Sequence, residues 1–280
     1  MAKKITVSVH ALIKNESRFA WYSIMSVMPY MDKVMIRDTG STDSTPQIIS
    51  EIQKIGGEKV DFESISGKFD EAGARQKMLE DTKEDWFIVV DADEIWWSDS
   101  IKKVVELINS NGQNLESIVV PSFNFVGDVF HYQEKAAGKY HLAGRTGHYS
   151  LRAINRKIPG LAAIKPHGQT GWADGEGRMI QDRNSRKIAF LDAPYLHATH
   201  LMRSNRKKDL EVIKRQMKLK YEIGIPFPGD FYYPEVFFGS RPKFVKSPWQ
   251  TMSPVFKFIA FLETPFRKIK RRVWKGGVGY

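Results

Sequence analysis

Strand and helix patterns alternate through about the first ninety residues, and this alternation limits the folds open to the chain more than any other feature. Runs of β-branched and apolar residues predict strands at residues 5–12, 33–37, 59–65 and 86–90. Apolar residues at helical spacing predict the intervening helices at residues 19–28, 46–55 and 71–82. This order predicts an α/β fold with a mostly parallel central sheet and helices on both faces. Ligands of such sheets bind at the carboxyl ends of the strands.

The pattern is looser after residue 100. It predicts a helix at residues 100–110, strands at residues 117–125, 147–155 and 187–195, and a basic amphipathic helix at residues 204–221. From Arg241 onward, ten cationic residues are balanced by Glu263 alone, and aromatic residues lie between the cations. We therefore divide the chain into an α/β domain at residues 1–240 and a basic, aromatic extension at residues 241–280.

Three carboxylates follow the apolar strand within four residues, in the sequence Asp91-Ala92-Asp93-Glu94. Carboxylates this close together repel one another and lose hydration at the edge of a sheet, so a bound cation is the simplest explanation for them. Oxygen ligands favour Mg²⁺ or Mn²⁺, which would also bind phosphate oxygens. The alternative is a solvated acidic loop that caps the next helix.

A second polar cluster, Asp38-Thr39-Gly40-Ser41-Thr42-Asp43-Ser44-Thr45, follows the second predicted strand. Carboxylates at this edge of a parallel sheet can accept hydrogen bonds from a base or from ribose hydroxyls. The hydroxyl side chains can also serve only to cap the helix that begins near Pro46, and Ser44 or Thr45 suffices for that. Capping leaves Asp38 unexplained.

Four segments of the chain, taken together, resemble the family 2 glycosyltransferases of the GT-A fold. They are residues 11–16 (ALIKNE), 38–43 (DTGSTD), 74–76 (ARQ) and 86–94 (WFIVVDADE). The Asp-x-Asp triplet is common by itself, but its place after an apolar strand and downstream of DTGSTDST makes the combination specific. The resemblance covers about the first hundred residues, in the order and spacing of the family.

This resemblance implies an inverting transfer of a hexosyl group from a UDP- or GDP-linked sugar to a hydroxyl of a glycan or a lipid-linked glycan. It implies Mn²⁺ or Mg²⁺ as the cofactor, with Asp93 as a ligand. The positions that match the donor site of the family are Ala11, Glu16, Asp38, Asp43, Arg75, Asp91, Ala92 and Asp93. For Arg75, a surface ion pair with Glu71 or Asp70 is the alternative role.

Two histidines, His197 and His200, follow the predicted strand at residues 187–195. In several GT-A enzymes a histidine after the last core strand completes the metal shell, and His197 resembles it, with His200 as the alternative. A structural role is the other interpretation of a single histidine. His10, in the first strand, is predicted to be a pocket wall or a core residue.

An inverting transfer needs a general base near the acceptor hydroxyl, and a carboxylate is the usual choice. Asp174 and Glu176 lie among glycines in the segment GWADGEG, which suits a mobile loop, and they are our first candidates. Asp128 and Asp182 are the other candidates. The segment departs from the acidic pair followed by a regular helix that is common in the family.

Composition narrows the chemistry and the compartment. The chain has no cysteine, which excludes disulfides, thiolate nucleophiles and thiolate metal sites and suits a reducing compartment. No apolar run has the length of a membrane span, and the N-terminus lacks the apolar stretch of a signal peptide. We expect a cytoplasmic protein that can also attach to the inner face of the membrane.

The net charge of +11 comes mostly from the C-terminal extension. On a helix, Val255, Phe258, Ile259 and Leu262 would share one face, so the extension could lie on an anionic membrane. The alternative is a helix whose apolar face packs on its own domain. Pro265 is predicted to break or kink this helix before its basic end.

Two other functions fit these patterns less well. A nucleotidyltransferase would have a glycine-rich phosphate loop after the first strand, but residues 10–16 contain no glycine. A basic nucleic-acid-binding protein would have no use for the two acidic clusters. Nucleic acid is therefore not expected as a partner.

Overall fold

The computed structural model describes residues 4–65, 70–164, 171–212 and 215–273. The strands of these residues are β1 (Val7–Ile13), β2 (Lys33–Asp38), β3 (Val60–Ser64), β4 (Trp86–Val89), β5 (Glu94–Trp96), β6 (Ser117–Val126), β7 (Asp128–Tyr132), β8 (Tyr140–Leu142), β9 (Arg145–Gly147), β10 (Tyr149–Asn155), β11 (Ala162–Ile164), β12 (Gly171–Ala173), β13 (Ile188–Phe190), β14 (Tyr195–His197) and β15 (Ile225–Pro226). The helices are α1 (Ala20–Val27), α2 (Thr45–Gly56), α3 (Glu71–Asp81), α4 (Ser98–Asn111), α5 (Arg206–Leu210), α6 (Arg215–Lys218) and α7 (Pro254–Val273).

The central sheet has the order β15-β7-β6-β10-β4-β1-β2-β3. Its first four strands along the chain, β1 to β4, are all parallel, and β10 adds to β4 in the antiparallel direction. The chain runs outward from β1 to β3 and then returns to place β4 on the other side of β1. The strand order therefore reverses between β1 and β4, and in open α/β sheets ligands bind outside the carboxyl ends of strands at such a point.

Both faces of the sheet are covered, as the sequence predicts. The larger hydrophobic core contains residues of α1, α2 and α4, such as Trp21, Ile49 and Val104, packed on one face. On the other face Leu79 of α3 and Trp172 of β12 pack on Phe87. The α/β fold with parallel N-terminal strands is thus confirmed.

Two short strands carry the chain back to the end of β4. β14 pairs with β5 in the antiparallel direction, so that His197 lies opposite Glu94. It also pairs with β6 in the parallel direction, with His197 opposite Asn124. The pairing of β14 with β5 thus brings His197 next to the acidic cluster, although the two are about one hundred positions apart in the sequence.

The single helix predicted at residues 204–221 is wrong, because the described part of this segment forms only α5 and α6. Asn205 caps α5 by accepting a hydrogen bond from the Lys208 N–H at 3.0 Å. Arg215 is buried and turns inward, where its guanidinium bonds the carbonyl oxygens of Asn15 and Lys14. Because this cation is buried against backbone carbonyls, the segment does not form the solvated polar face of a regular amphipathic helix. Residues 213 and 214 of the predicted helix lie outside the described residues.

The prediction of a break or kink at Pro265 is wrong for the break, because α7 continues through the proline to Val273; the kink stays a prediction. A proline inside a helix leaves the carbonyl four residues earlier without its N–H donor, here that of Phe261. Phe261 is exposed, so water can bond this carbonyl. One residue before the proline, the Thr264 hydroxyl donates to the Ala260 carbonyl at 2.6 Å. Residues 274–280 of the predicted extension lie outside the described residues.

Candidate active site

Asp93 lies beyond the carboxyl end of β4 and is only 1% exposed. The Arg203 Nη1 atom lies 3.1 Å from Asp93 Oδ2, and the His197 Nε2 atom lies 3.4 Å from the same oxygen. Neither carboxylate oxygen of Asp93 accepts a hydrogen bond from the described part of the chain. A buried carboxylate normally has such donors, so Asp93 has coordination capacity that the described residues leave unused.

Asp93 is charged and His197 is neutral at physiological pH. Burial by itself would raise the pKa of Asp93, but Arg203, His197 and Lys218 together outweigh this effect and hold that pKa far below its usual range. Burial lowers the pKa of His197, against the opposing charge of Asp93. A carboxylate and a neutral imidazole are both metal ligands, which fits the predicted cation.

No group of three or more His, Asp or Glu residues with the arrangement of a metal site occurs in the described ranges. Mg²⁺ and similar hard cations are commonly held by one or two carboxylates, with the remaining ligands from substrate phosphates and water. Asp93 and His197 therefore fit a cation that is shared with a diphosphate. They do not fit a cation caged by protein alone.

Glu16 joins the end of β1 to this centre. Its Oε1 atom accepts a hydrogen bond from Arg203 Nη1 at 3.0 Å and another from Arg215 Nη2. Burial raises the pKa of Glu16 to about 7, although the two arginines oppose this effect. Arg203 thus bridges Glu16 and Asp93, which come from two neighbouring parallel strands.

Asp91 and Glu94 form ion pairs with arginines other than Arg203. Arg152, on β10, bonds the fully buried Glu94 and lies 3.4 Å from Asp91 Oδ2. Arg75 lies 3.5 Å from Asp91 Oδ1 and also pairs with Glu71, at 3.2 Å. Arg75 is nearly buried, so its pair with Glu71 is not the surface pair considered from the sequence, and it also reaches the acidic cluster.

Asp38 and Asp43 organise the loop after β2. Asp38 accepts hydrogen bonds from the Ser41 N–H at 3.0 Å and from the Ser41 hydroxyl at 2.7 Å. Burial raises the pKa of Asp38, against the lowering effect of these bonds. Asp43, rather than Ser44, caps α2 by accepting from the Thr45 N–H at 2.9 Å. It also binds Ser17 and Ser204, so it ties the loop to both neighbouring segments.

Three residues that the sequence placed in or near the donor site lie in the hydrophobic core around it. The side chains of Ala11 and Ala92 belong to the main hydrophobic core. His10 stacks on Phe87 with ring centroids 4.3 Å apart, and its Nε2 atom is 2.7 Å from the Thr82 hydroxyl. Burial lowers the pKa of His10 to about 3, so it is a neutral core residue. Roles for Ala11 and Ala92 in donor binding stay predictions.

The structure does not bring Asp174 or Glu176 to Asp93. Asp174 binds Arg183, which in turn bonds Glu116, the residue before β6. Ser117 pairs with Ile154 of β10, and the next residue, Asn155, pairs with Trp86 at the start of β4. Glu116 therefore lies at the end of the sheet where β4 begins, opposite to the end that carries Asp91. Gly175 packs closely against the backbone of Gly160, since a Cβ on Gly160 would lie 2.4 Å from Gly175 Cα.

The remaining candidates also have other partners or positions. The His200 Nδ1 atom bonds the Lys218 carbonyl and its Nε2 atom faces Lys220 Nζ at 3.3 Å, so neither nitrogen is open to a cation, and the geometry favours His197. Asp128 accepts from the Met252 N–H at 3.1 Å and from His131 at 2.6 Å. Asp182 is exposed, in the segment of Arg183.

Sequence reasoning did not single out the arginines of the site, which are Arg152, Arg203 and Arg215. Arg152 occupies a polar position of the alternating pattern of β10, as Ser150 does, so the pattern by itself does not distinguish it from a solvated residue. Arg203 and Arg215 stand in a segment with many cations, where sequence spacing does not separate a buried guanidinium from solvated ones.

A parallel sheet that reverses its strand order beside an acidic cluster is the arrangement of the glycosyltransferases with the GT-A fold. The chain belongs to glycosyl transferase family 2, because the model of that family matches residues 8–168. The resemblance found from the sequence is therefore confirmed, and the protein is a glycosyltransferase. No curated protein matches the chain.

Several solved structures are similar to this chain. TarS of S. aureus has 14% sequence identity and a TM-score of 0.48 over 70% of this chain and 37% of that chain. Glucosyl-3-phosphoglycerate synthase from Mycobacterium tuberculosis, in complex with phosphoglyceric acid, has 21% identity and a TM-score of 0.47 over 76% of each chain. The same enzyme with Mg²⁺ and uridine diphosphate has 20% identity and a TM-score of 0.46. The matched part of the present chain thus spans little more than a third of TarS.

Proposed function

We propose that this protein transfers a hexosyl group, with inversion, from a UDP- or GDP-linked sugar to a hydroxyl of a glycan or a lipid-linked glycan. The observation that carries the proposal is Asp93, which is buried and charged and accepts no hydrogen bond from the described residues. It lies beside a neutral His197 at the point where the strand order reverses. The absence of cysteine suits the cytoplasm, where we place the reaction.

Asp93 and His197 are proposed to hold Mn²⁺ or Mg²⁺, which when bound would neutralise charge on the leaving diphosphate. Glu16 and Asp38 lie at the carboxyl ends of β1 and β2, where carboxylates can bind the nucleoside. Arg203 keeps Asp93 ionised before the donor arrives, because its charge lowers the pKa of that carboxylate. Arg75 fixes Asp91 from α3.

Nucleoside diphosphates are expected to stabilise the protein only when a divalent cation is present. At a concentration of about 100 times the dissociation constant, a ligand stabilises the folded state by about 2.7 kcal/mol, which is a clear rise in Tm. The measurement is a thermal-shift panel of UDP, GDP, CDP and ADP, each with Mn²⁺, Mg²⁺ or EDTA. A rise with UDP or GDP that EDTA removes is the expected result. An equal rise in EDTA would contradict the shared cation.

The general-base role of Asp174 or Glu176 stays a prediction, and the contacts of Asp174 favour a structural role instead. Asp174→Asn keeps an oxygen for the Glu176 and Arg178 N–H groups but loses the ion pair with Arg183. We therefore expect its Tm to fall by a few degrees, with kcat nearly unchanged. Glu176→Gln tests the second candidate in the same way, and Asp192→Asn, at an exposed carboxylate outside the candidate set, is the control. A fall in kcat of about 100-fold at unchanged Tm would instead support the base.

A further inference from the structure

Helix α7 is attached to the rest of the protein by one defined face. Ala260 and Thr264 are buried, and the Thr264 hydroxyl accepts a hydrogen bond from the Ile223 N–H at 2.8 Å. Arg267 donates to the Tyr221 carbonyl at 3.1 Å. One helical turn later, Arg271 pairs with the buried Glu222 and with Glu134. These contacts extend over three turns, so they also fix which face of α7 points outward.

The outward face of α7 is apolar. Its large side chains expose between 51% and 78% of their surface each, and they are Val255, Phe258, Phe261, Leu262, Phe266, Ile269 and Val273. Six of the seven follow one another at intervals of three or four residues, which makes a continuous stripe along the helix. Of the face predicted from the sequence, Val255, Phe258 and Leu262 are exposed and Ile259 is half-buried, so most of this face does not pack on the domain as in the alternative interpretation. An apolar stripe of this length on a surface indicates an interaction site.

The charges beside this stripe identify the kind of partner. Lys257, Lys270 and Arg272 are exposed, and Lys268 is half-buried. The one acidic residue of the helix, Glu263, is already paired with Arg267. The stripe thus combines exposed aromatic rings with an excess of cations, and this combination matches a surface with apolar material beneath anionic groups.

Two other arrangements fit these observations less well. If two copies met through this face, their lysines and arginines would face one another, and like charges oppose such pairing. Among the described residues, no helix combines the length and the apolar composition needed to cross a membrane. A helix lying in the plane of the membrane buries the stripe and places the cations among anionic headgroups.

We propose that α7 binds the surface of an anionic lipid bilayer, with Phe258, Phe261 and Phe266 inserted at the boundary between headgroups and acyl chains. This inference rests on the exposure and charge of α7 and is independent of the donor site. It places the transferase on the membrane surface, which is where a lipid-linked acceptor would be found.

The test is co-sedimentation of the full chain with vesicles, which needs no donor, metal or activity. Vesicles of phosphatidylcholine with about 30% phosphatidylglycerol are compared with phosphatidylcholine alone. We expect binding to the anionic vesicles only. Raising the salt from about 0.1 M to about 1 M shortens the screening length from about 10 Å to about 3 Å, so binding should weaken strongly. Failure of the wild-type chain to bind anionic vesicles at low salt would overturn the proposal.

The apolar stripe is tested with the double variant Phe258→Asp/Phe266→Asp, which we expect to reduce vesicle affinity by at least about tenfold. Ile55→Asp, at an exposed apolar residue at the end of α2, is the matched control and should bind like the wild type. The Tm of each variant verifies the fold. Equal binding by the double variant and the control would contradict the assignment to α7. A protein that self-associates as a dimer instead of binding vesicles, and that becomes a monomer in the double variant, would also contradict the assignment.

Discussion

Asp93→Asn is expected to lower kcat/KM for sugar transfer by at least about a thousandfold, equivalent to about 4 kcal/mol of transition-state stabilisation. The amide keeps the shape of the side chain but loses the charge that, together with His197, would hold the cation. The same variant should lose the stabilisation by nucleoside diphosphate and divalent cation. Its fold should survive, because Arg203 keeps its hydrogen bond to Glu16.

The control for Asp93→Asn is Asp99→Asn, which removes a carboxylate with an 85% exposed side chain in the first turn of α4. This control should retain both activity and the nucleotide-dependent rise in Tm. Both variants are assayed with saturating Mn²⁺, so that a merely weakened metal affinity is distinguished from a lost ligand. If the Asp93→Asn protein still responded to nucleotide and metal as the wild type does, the proposed role of Asp93 as a ligand of the cation would be contradicted.

Arg152→Ala is expected to lower the free energy of unfolding by about 3–5 kcal/mol. Its guanidinium is the cation that bonds Glu94, whose side chain is fully buried, and it also lies beside Asp91. Burial raises the pKa of Glu94, and the arginine opposes this effect. Removing the arginine leaves the buried carboxyl group without its counter-charge and hydrogen-bond donor, which costs far more than the loss of an exposed pair. Urea unfolding measures the change, and the midpoint should move without a change in the slope.

Two further variants separate charge from packing at Arg152. Adding Glu94→Gln to Arg152→Met removes both charges, and it should recover most of the lost stability. Arg178→Ala, which breaks an exposed pair with Glu176, should change the free energy of unfolding by less than about 1 kcal/mol. If Arg152→Ala cost no more than Arg178→Ala, the buried pair would not hold the acidic cluster in place.

The N-terminal half of the fold could be predicted because its signals are local. Each strand from β1 to β4 contains a short run rich in β-branched and apolar residues, Asp38 is the last residue of β2, and Asp91 lies two residues after β4. The carboxyl ends of parallel strands lie at one edge of the sheet, so polar residues that come at the ends of successive strands lie close together in the fold. The elements and the acidic cluster were therefore predictable without tertiary information.

The rest of the site depends on pairing between distant parts of the chain. His197 reaches Asp93 through the β5–β14 pair, and short apolar runs do not specify their partner strand. Arg215 is buried by contacts with backbone carbonyls, which leave no periodic pattern in the sequence. The glycines around Asp174 suggested a mobile loop, whereas in the structure one of them, Gly175, packs closely against the backbone of Gly160. These features follow from tertiary contacts.

The family match ends at residue 168, whereas His197, Arg203 and Arg215 lie beyond it. The site is thus assembled from an inherited stretch that the family model recognises and a later stretch that it does not cover. A match through the first stretch identifies the family but carries no information about the segment that supplies His197, Arg203 and Arg215. Two genes with the same family assignment can therefore encode transferases whose second halves have diverged separately.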